Sequence, residues 1–448
     1  MSETTRNDWG VQLLGELAES RRGITYSSAM LESQDEGLPY VNMKSFLKGG
    51  GFNSDGTKRY AGIYGQNDLV GERDLLIANT DVTAGDIVGV PALLPNELSA
   101  NKVLYSHHVT RLRLTSWVTV PFLYYLLCLP EYRSHMLRIA RGTTVLMLDM
   151  HAIKRIPIRA PKTKAEQDRI AKILSTLDEA IAQTEALIAK HQQIKAGLMH
   201  DLFTRGVTPD GHLRPTREQT PDIYKESPLG WIPKEWAVVT TEGCAAKAPG
   251  STTIGPFGSD LISSDYRSEG VPVAFVRDVK EGVFEWNSDV FVTHEKAQRL
   301  SAHAVRPGDL LSTKMGFPPC VTCEYPNWME DGIITADIIR LRPDPARVNT
   351  RWLSAALNCD AFKSQVQAIT AGVTRPKVTL SDFRKLRLAR PGLDEQTMFA
   401  GRLASLADLS LSEETKLAKL HKQKHGLMHD LLTGRVRVKF SEKRETRG

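Results

Sequence analysis

The sequence predicts a mixed α/β chain of the α+β class. Two globules are separated by two long helices that pair as an antiparallel two-helix coil, and the halves are related by a pseudo-two-fold internal repeat. Three observations carry that expectation. Glu166–Val207 and Glu395–Val436 align without a gap at an offset of 229 residues, with 17 of 42 positions identical. Both segments place apolar residues at three-and-four spacing, the stripe of an amphipathic helix. Elsewhere, short apolar runs such as residues 333–341 alternate with Gly, Pro and Asn, the pattern of strands and turns.

At 448 residues the chain is too long for one ordinary core and long enough for two. With 41% hydrophobic and 25% charged residues, global disorder is excluded. The longest apolar run, Val118 to Leu129, carries Pro121 and falls short of the roughly 18 residues a membrane span needs. Met1-Ser-Glu-Thr-Thr-Arg lacks the apolar core of a signal peptide, and five cysteines make no disulfide framework. A cytoplasmic protein without membrane partners is expected.

The elements follow in order. Residues 1–160 form the first globule, 161–206 the first long helix and 207–236 a Pro-rich, polar linker. Residues 237–392 form the second globule, 393–436 the second long helix and 437–448 a basic tail. In the first helix Ile170, Ile173, Leu174, Leu177, Ile181, Leu187, Ile188, Ile194 and Leu198 make the stripe, and no proline interrupts Glu166–Val207. Some 38 residues at 1.5 Å each give a rod of roughly 55 Å, longer than a small domain can cover. The economical partner is the other copy, through Phe399, Leu403, Leu406, Leu417, Leu420 and Leu427. Separate packing of each helix on its own globule is the alternative.

The globules repeat more loosely. Gly37-Leu-Pro-Tyr-Val-Asn is similar to Gly270-Val-Pro-Val-Ala-Phe, and Asp74-Leu-Leu-Ile-Ala to Asp309-Leu-Leu-Ser-Thr. Gly142-Thr-Thr corresponds to Gly372-Val-Thr. A repeat of 229 residues is far longer than the roughly 20–50 of a solenoid, so half the protein was copied.

Charge argues against broad nucleic-acid affinity. The net +6 is concentrated in residues 416–448, which carry ten Lys or Arg against three acids, leaving −1 for residues 1–415. Catalytic signatures are absent: no Walker loop, no Gly-rich cofactor loop, no Asn- or Asp-Pro-Pro-aromatic motif. Cys320-Val-Thr-Cys323 has zinc-like spacing but no second pair, so a strand pair is expected rather than a metal site. His200-Asp201 and His429-Asp430 repeat at helix ends without a nucleophile, which favours end-capping or a subunit contact over catalysis. His107-His108 is read as packing.

In this order of globules and helices the chain resembles the specificity subunit of type I DNA restriction-modification systems. The resemblance rests on Glu166-Gln167 and Glu395-Gln396 at the helix starts, and on Gly-Leu-Met-His-Asp-Leu at Gly197–Leu202 and Gly426–Leu431. Trp231-Ile-Pro-Lys-Glu-Trp236 before the second globule completes it. The first globule departs, since Trp9-Gly-Val-Gln-Leu-Leu has no Ile-Pro turn, leaving its start open. The resemblance implies two target recognition domains reading a bipartite, asymmetric double-stranded DNA site. It also implies two methyltransferase subunits held by the helices and restriction-translocase subunits beyond them. The chain itself is then non-catalytic and binds no cofactor or metal, with S-adenosylmethionine, ATP and Mg on the partner subunits.

For DNA contact the first globule offers Lys44, Lys48, Asn53, Lys58 and Arg59 around the Gly49-Gly50-Gly51 turn, whose backbone could approach a phosphate closely. Arg141 and Thr144 flank Gly142. The second offers Ser259, Arg277, Lys280, Lys314 and Arg375 at comparable strand ends. The rival function is a coiled-coil interaction scaffold whose globules bind protein and no DNA; another is the recognition part of a fused restriction-methylation enzyme. If the helices set the unread spacer, inserting four residues mid-helix, about 6 Å, is expected to lengthen it by one or two base pairs. Methylation mapping checks this, and an unchanged spacer would refute the ruler.

Overall fold

The computed structural model describes residues 8–31, 37–83, 85–99, 101–115, 117–370 and 374–438. Gly372 of the repeated Gly-x-Thr turn and residues 439–448 of the basic tail lie outside them. The chain divides into two compact units, Met1–Ala186 with Glu414–Gly448, and Leu187–Glu413. Each unit holds one globule and pieces of both long helices, Lys164–Thr204 and Leu393–Leu432. Each compact unit therefore combines one globule with helical pieces from both copies.

In the first unit, strand Trp9–Leu13 pairs antiparallel with Pro157–Pro161, which leads into the first long helix and closes the globule's two ends together. Trp9–Leu13 is thus the first strand among the described residues. One sheet runs in the order Ala18–Arg22, Val109–Leu114, Asp74–Ala78, Pro91–Ala92. A second sheet places Leu38–Val41 between Lys58–Tyr60 and, in parallel, Leu104–Tyr105. The apolar run singled out by hydropathy becomes helix Val120–Leu127, with six of eight residues buried. Pro121 sits in its first turn and Pro130 opens the next helix, Pro130–Ile139, where a missing N–H costs nothing. Among the described residues no helix is long and apolar enough to cross a membrane.

The second unit repeats this plan. Ala237–Thr240 pairs with Arg387–Arg390 ahead of the second long helix. One sheet runs Thr252–Ile254, Ile338–Leu341, Leu310–Thr313, Thr322–Glu324, and the other sets Val271–Ala274 parallel to Gly332–Ile334. Helices Thr350–Ala356 and Asp360–Thr370 take the places of Val120–Leu127 and Pro130–Ile139.

The repeated motifs repeat their bonds. Asp74 is buried and takes two hydrogen bonds of 2.8 Å from Arg113, and Asp309 takes two of 2.8 Å from Arg342. Gln167 and Gln396 are both fully buried. Each accepts from the N–H of a residue that caps a globule helix, Thr119 at 2.7 Å and Asn349 at 2.8 Å. Each also donates to the carbonyl of the proline before its long helix, Pro161 or Pro391. The glutamate beside each glutamine meets an arginine from beyond the end of the opposing long helix. Glu166 is held by Arg437, which also reaches Asp8, and Glu395 by Arg214, which also reaches Glu235. Both long helices end at a left-handed glycine, Gly206 and Gly434. A Cβ there would strike the indoles of Trp236 and Trp9.

The two long helices pack together, antiparallel within each unit. In the first, Asp178 faces Lys424 while Glu166 faces Arg437, so one chain number rises as the other falls. In the second, Phe203 packs edge-on against Phe399 at 5.4 Å and Val207 donates to Glu395. Their apolar stripe is buried mainly where a globule also packs: Ile170 and Leu174 join one core, Leu202 and Phe399 another. Towards mid-helix, Ile194 and Leu409 stay exposed. Both packing modes weighed from sequence therefore operate together.

Arg214 and Glu395 are nearly buried, with side chains 7% and 10% exposed, whereas Arg437 is 41% exposed. Arg214→Ala strands a buried carboxylate and is expected to cost about 3 kcal/mol. Arg437→Ala likewise strands a buried carboxylate, since the Glu166 side chain is only 4% exposed, and should also cost about 3 kcal/mol, less whatever solvent screening the half-exposed arginine already allowed. Thermal melting of the two variants checks this; a loss below about 1 kcal/mol in either would contradict it.

Candidate nucleic-acid interface

The parallel strand of each globule ends in a tight 3-10 turn, Met43–Ser45 and Val276–Asp278, with Lys44 and Arg277 at the same place in it. Asn42 fixes the first turn by accepting from Lys44 N and Asp278 fixes the second by accepting from Phe275 N. Arg277 is aimed by two contacts: its Nε donates to Ser288 Oγ at 2.9 Å and its guanidinium lies 4.5 Å from the Phe275 ring centre.

Beside each turn runs the loop that follows the Asp-Leu-Leu strand. In the first globule Thr80 Oγ1 donates to Met43 Sδ at 3.0 Å, and Thr80–Asp81 pairs with Leu146–Met147 of the hairpin bearing Arg141 and Thr144. Burial would raise the Asp81 pKa, but hydrogen bonds from Thr83, Ile87 and Val88 outweigh it and hold it below the usual carboxylate range. That ionised carboxylate braces the loop, with Val82 exposed on it. In the second globule Lys314 N donates to Asp337 O and Val378 N to Lys314 O. Met315 bridges Lys377. Arg277 and Asp337 line one cavity of about 520 Å³ with Thr335 and Phe275.

The proposed contact residues thus separate. Lys44, Arg141 and Thr144 are exposed on adjoining segments of the first globule. In the second, Arg277 and Lys314 meet through Asp337, Arg375 lies two residues before the Lys377 that bridges Met315, and Ser259 adjoins Gly258 of the Arg277 cavity. Lys280 does not join them: it lies on the hairpin Val279–Lys280 and Val283–Phe284, whose tip residue Glu281 pairs with Lys363. Lys48 pairs with Asp86, Asn53 donates to Lys44 O, and Lys58 and Arg59 sit on the edge strand, with Arg59 donating to Gly37 O. The glycine turn makes its close approach to protein. A Cβ on Gly50 would fall 2.5 Å from Cys128 Sγ, so packing against the helix end is what requires glycine there. Sequence reasoning missed Val82, Phe317 and Asp337. Extending the match of the two Asp-Leu-Leu strands by a few residues would have found the first two.

The remaining motifs are structural. Cys320 and Cys323 belong to different apolar clusters, and burial pushes both thiols up to about 12. Among the described residues no group of three His, Cys, Asp or Glu could hold a metal. The His107 and His108 rings lie 3.8 Å apart, tilted by 42°, and His108 Nδ1 lies 2.9 Å from Thr80 Oγ1. In Gly-Leu-Met-His-Asp-Leu, Leu202 and Leu431 face the cores while His200 and His429 turn outward. Each copy lines a cavity beside a junction of globule helices, about 320 Å³ at Met199, His200 and Cys359, and about 400 Å³ at Met428, His429 and Leu129.

The architecture is that of an internally duplicated protein with two globules carried on two long helices. Residues 6–193 match the family model described as "Type I restriction modification DNA specificity domain". Over 96% of its length the chain is 23% identical to the Type I restriction enzyme MjaVIII specificity subunit of Methanocaldococcus jannaschii, covering 94% of that protein. It is 24% identical over 67% of its length to the putative MjaX specificity subunit of the same organism, covering 64% of it. In fold it is similar to the type I restriction-modification S subunit from M. genitalium, with a TM-score of 0.58, 14% identity, and 98% and 99% of the two chains covered. A chain from a structure titled for complex assembly and conformational transition of the type I R-M system gives 0.54, at 16% identity and 95% and 98% coverage. The similarity to specificity subunits extends over nearly the whole chain, whereas the family model matches residues 6–193.

Burial lowers the His108 pKa from its ordinary 6.5, and the neighbouring His107 adds to the shift. Near pH 6 the unfolded chain then binds more protons than the folded one. The stability that depends on this neutral imidazole is full above about pH 6.5 and lost as pH falls below it. Melting temperature should therefore drop between about pH 7.5 and pH 5.5, and His108→Gln should flatten that slope; an unchanged slope would count against it.

Proposed function

We propose that this chain is the non-catalytic specificity subunit of a type I restriction-modification complex. Its two globules read a bipartite, asymmetric duplex-DNA site, and its helices recruit methyltransferase chains. One observation carries the reading: the same tripartite face of turn, loop and adjoining segment occurs in both globules on one backbone plan, with different side chains. A repeated scaffold with altered tips suits two half-sites of different sequence. Lys44, Arg141 and Thr144 face the first half-site; Arg277, Lys314, Arg375 and Ser259 face the second. Asp337, an acceptor among those cations, suits an exocyclic amine of cytosine or adenine.

The duplicated cavities at the Gly-Leu-Met-His-Asp-Leu helix ends support two copies of one partner, hence two methyltransferase chains, with restriction-translocase chains joining the assembly. S-adenosylmethionine, ATP and Mg belong in this reading to those chains, and the complex works in the cytoplasm.

Arg277→Ala and Lys314→Ala should relax or weaken recognition at one half-site only, and Lys44→Ala at the other. A lost base contact costs about 1–3 kcal/mol at its position, whereas a lost phosphate contact weakens all sequences alike. Single-molecule mapping of methylated adenines with the wild-type and variant complexes distinguishes these outcomes. Changes in both half-sites from a single substitution, or in neither from all three, would refute the assignment.

A further inference from the structure

The loop after strand Leu310–Thr313 carries Phe317 at 80% exposure, among the largest values for any apolar side chain in the protein. Trp328, 65% exposed, still lies 6.3 Å from the Phe284 ring centre, and Trp231 carries Arg217 over its ring. Phe317 makes no ring contact among the described residues. Leaving a phenyl ring in water forfeits the stabilisation that burial would give, so such a ring at a loop tip marks a surface that another molecule covers. The loop is held ready. Cys320 N donates to Thr313 O and Thr313 N to Val321 O, closing its base.

What surrounds the ring selects the partner. Lys314 opens the same loop, Lys377 bridges Met315 beside it, and Arg277 lies across Asp337 from Lys314. Asp337 is the carboxylate within this group, and Phe257, 71% exposed, stands on the neighbouring loop that runs into Gly258. An exposed aromatic on a loop with cations at its base suits a polyanion with flat apolar faces. The repeat supplies a control: the loop after Asp74–Ala78 carries Val82, 58% exposed, at the position matching Phe317.

We propose that Phe317 is a wedge that enters the DNA duplex at the half-site read by the second globule, unstacking one base step. The shorter Val82 occupies the same position at the other half-site without unstacking it. This inference rests on the DNA-reading function proposed above. It adds a specificity element that reads how easily a step opens, at a base pair with no hydrogen-bond partner on the protein.

The test uses the full chain in complex with its methyltransferase partner, on the duplex defined by methylation mapping, with 2-aminopurine placed in turn at each position of both half-sites. The expected result is a fluorescence rise at one step of the second half-site, lost with Phe317→Ala and kept with Phe317→Trp. Binding by Phe317→Ala should weaken about 10-fold, with its melting temperature unchanged because the side chain is 80% exposed. Val82→Ala should leave that signal intact. Wild-type binding without any fluorescence rise, or a rise that survives Phe317→Ala, overturns the wedge while leaving DNA recognition standing. Failure of the wild-type complex to bind the duplex at all overturns both.

Discussion

The rest of the structure depends on the buried glutamine that opens each long helix. Gln167 and Gln396 have no solvent to turn to, so every polar atom of their amides must be satisfied by protein. Each joins the capping residue of a globule helix, through its N–H, to the carbonyl of the proline that ends the closing strand. Three separate pieces of chain are thereby locked at one point. The adjacent glutamate adds a fourth, the segment beyond the opposing long helix. A helix fixed at its first turn by a neutral amide and an ion pair has a defined direction out of its globule. That direction is a precondition for any use of the helices as a frame.

Around this fixed junction the two copies have diverged in an orderly way. Residues that set geometry are kept in kind: Asp74 and Asp309, Gly206 and Gly434, Trp9 and Trp236. Residues that meet solvent at the loop tips are not, as Val82 and Phe317 show. One internal site has also changed. In the first unit Tyr125 donates to Asp178 at 2.7 Å, and Lys424 lies 2.5 Å from the same carboxylate. The second unit keeps the lysine as Lys195 but has Ala355 and Ala407 at the other two positions, where a cavity of about 350 Å³ remains. The copies are thus equivalent as scaffolds and distinct as surfaces.

Much of this was legible in the sequence because helices announce themselves locally. Heptad-like spacing, the absence of proline and the exact recurrence of Gly-Leu-Met-His-Asp-Leu gave both long helices and their pairing. The role of Glu-Gln could be seen only as a recurring pair, because its partners Thr119, Asn349, Arg214 and Arg437 are distant in sequence and meet it by tertiary packing. The same limit explains the contact residues. Gly49-Gly50-Gly51 looked like a phosphate cradle because a left-handed turn permits close approach, but sequence cannot say to what, and the neighbour is Cys128. Lys280 looked equivalent to Arg277, yet the chain leaving the 3-10 turn that holds Arg277 runs straight into the hairpin that carries Lys280. Trp9 lacked the Ile-Pro turn of Trp236 but fills the same place, since the indole packed on a glycine is what the fold requires.

The charge distribution now has a physical consequence. Residues 1–160 sum to +1 and residues 207–415 to −3, so neither globule presents a broadly positive field. Cations are instead local, on the turns and loops of the tripartite face, while many others are consumed internally, as Arg113, Arg342 and Arg214 are by buried carboxylates. Affinity for duplex DNA that comes from phosphate neutralisation scales with the number of phosphates met. A handful of cations per globule makes that term small, and non-specific binding with it. Under the proposed function, such a chain would trade standing affinity for discrimination, with base-edge and shape contacts forming a larger share of its binding energy. The remaining affinity would then come from other chains that enclose the duplex, which ties recognition to assembly.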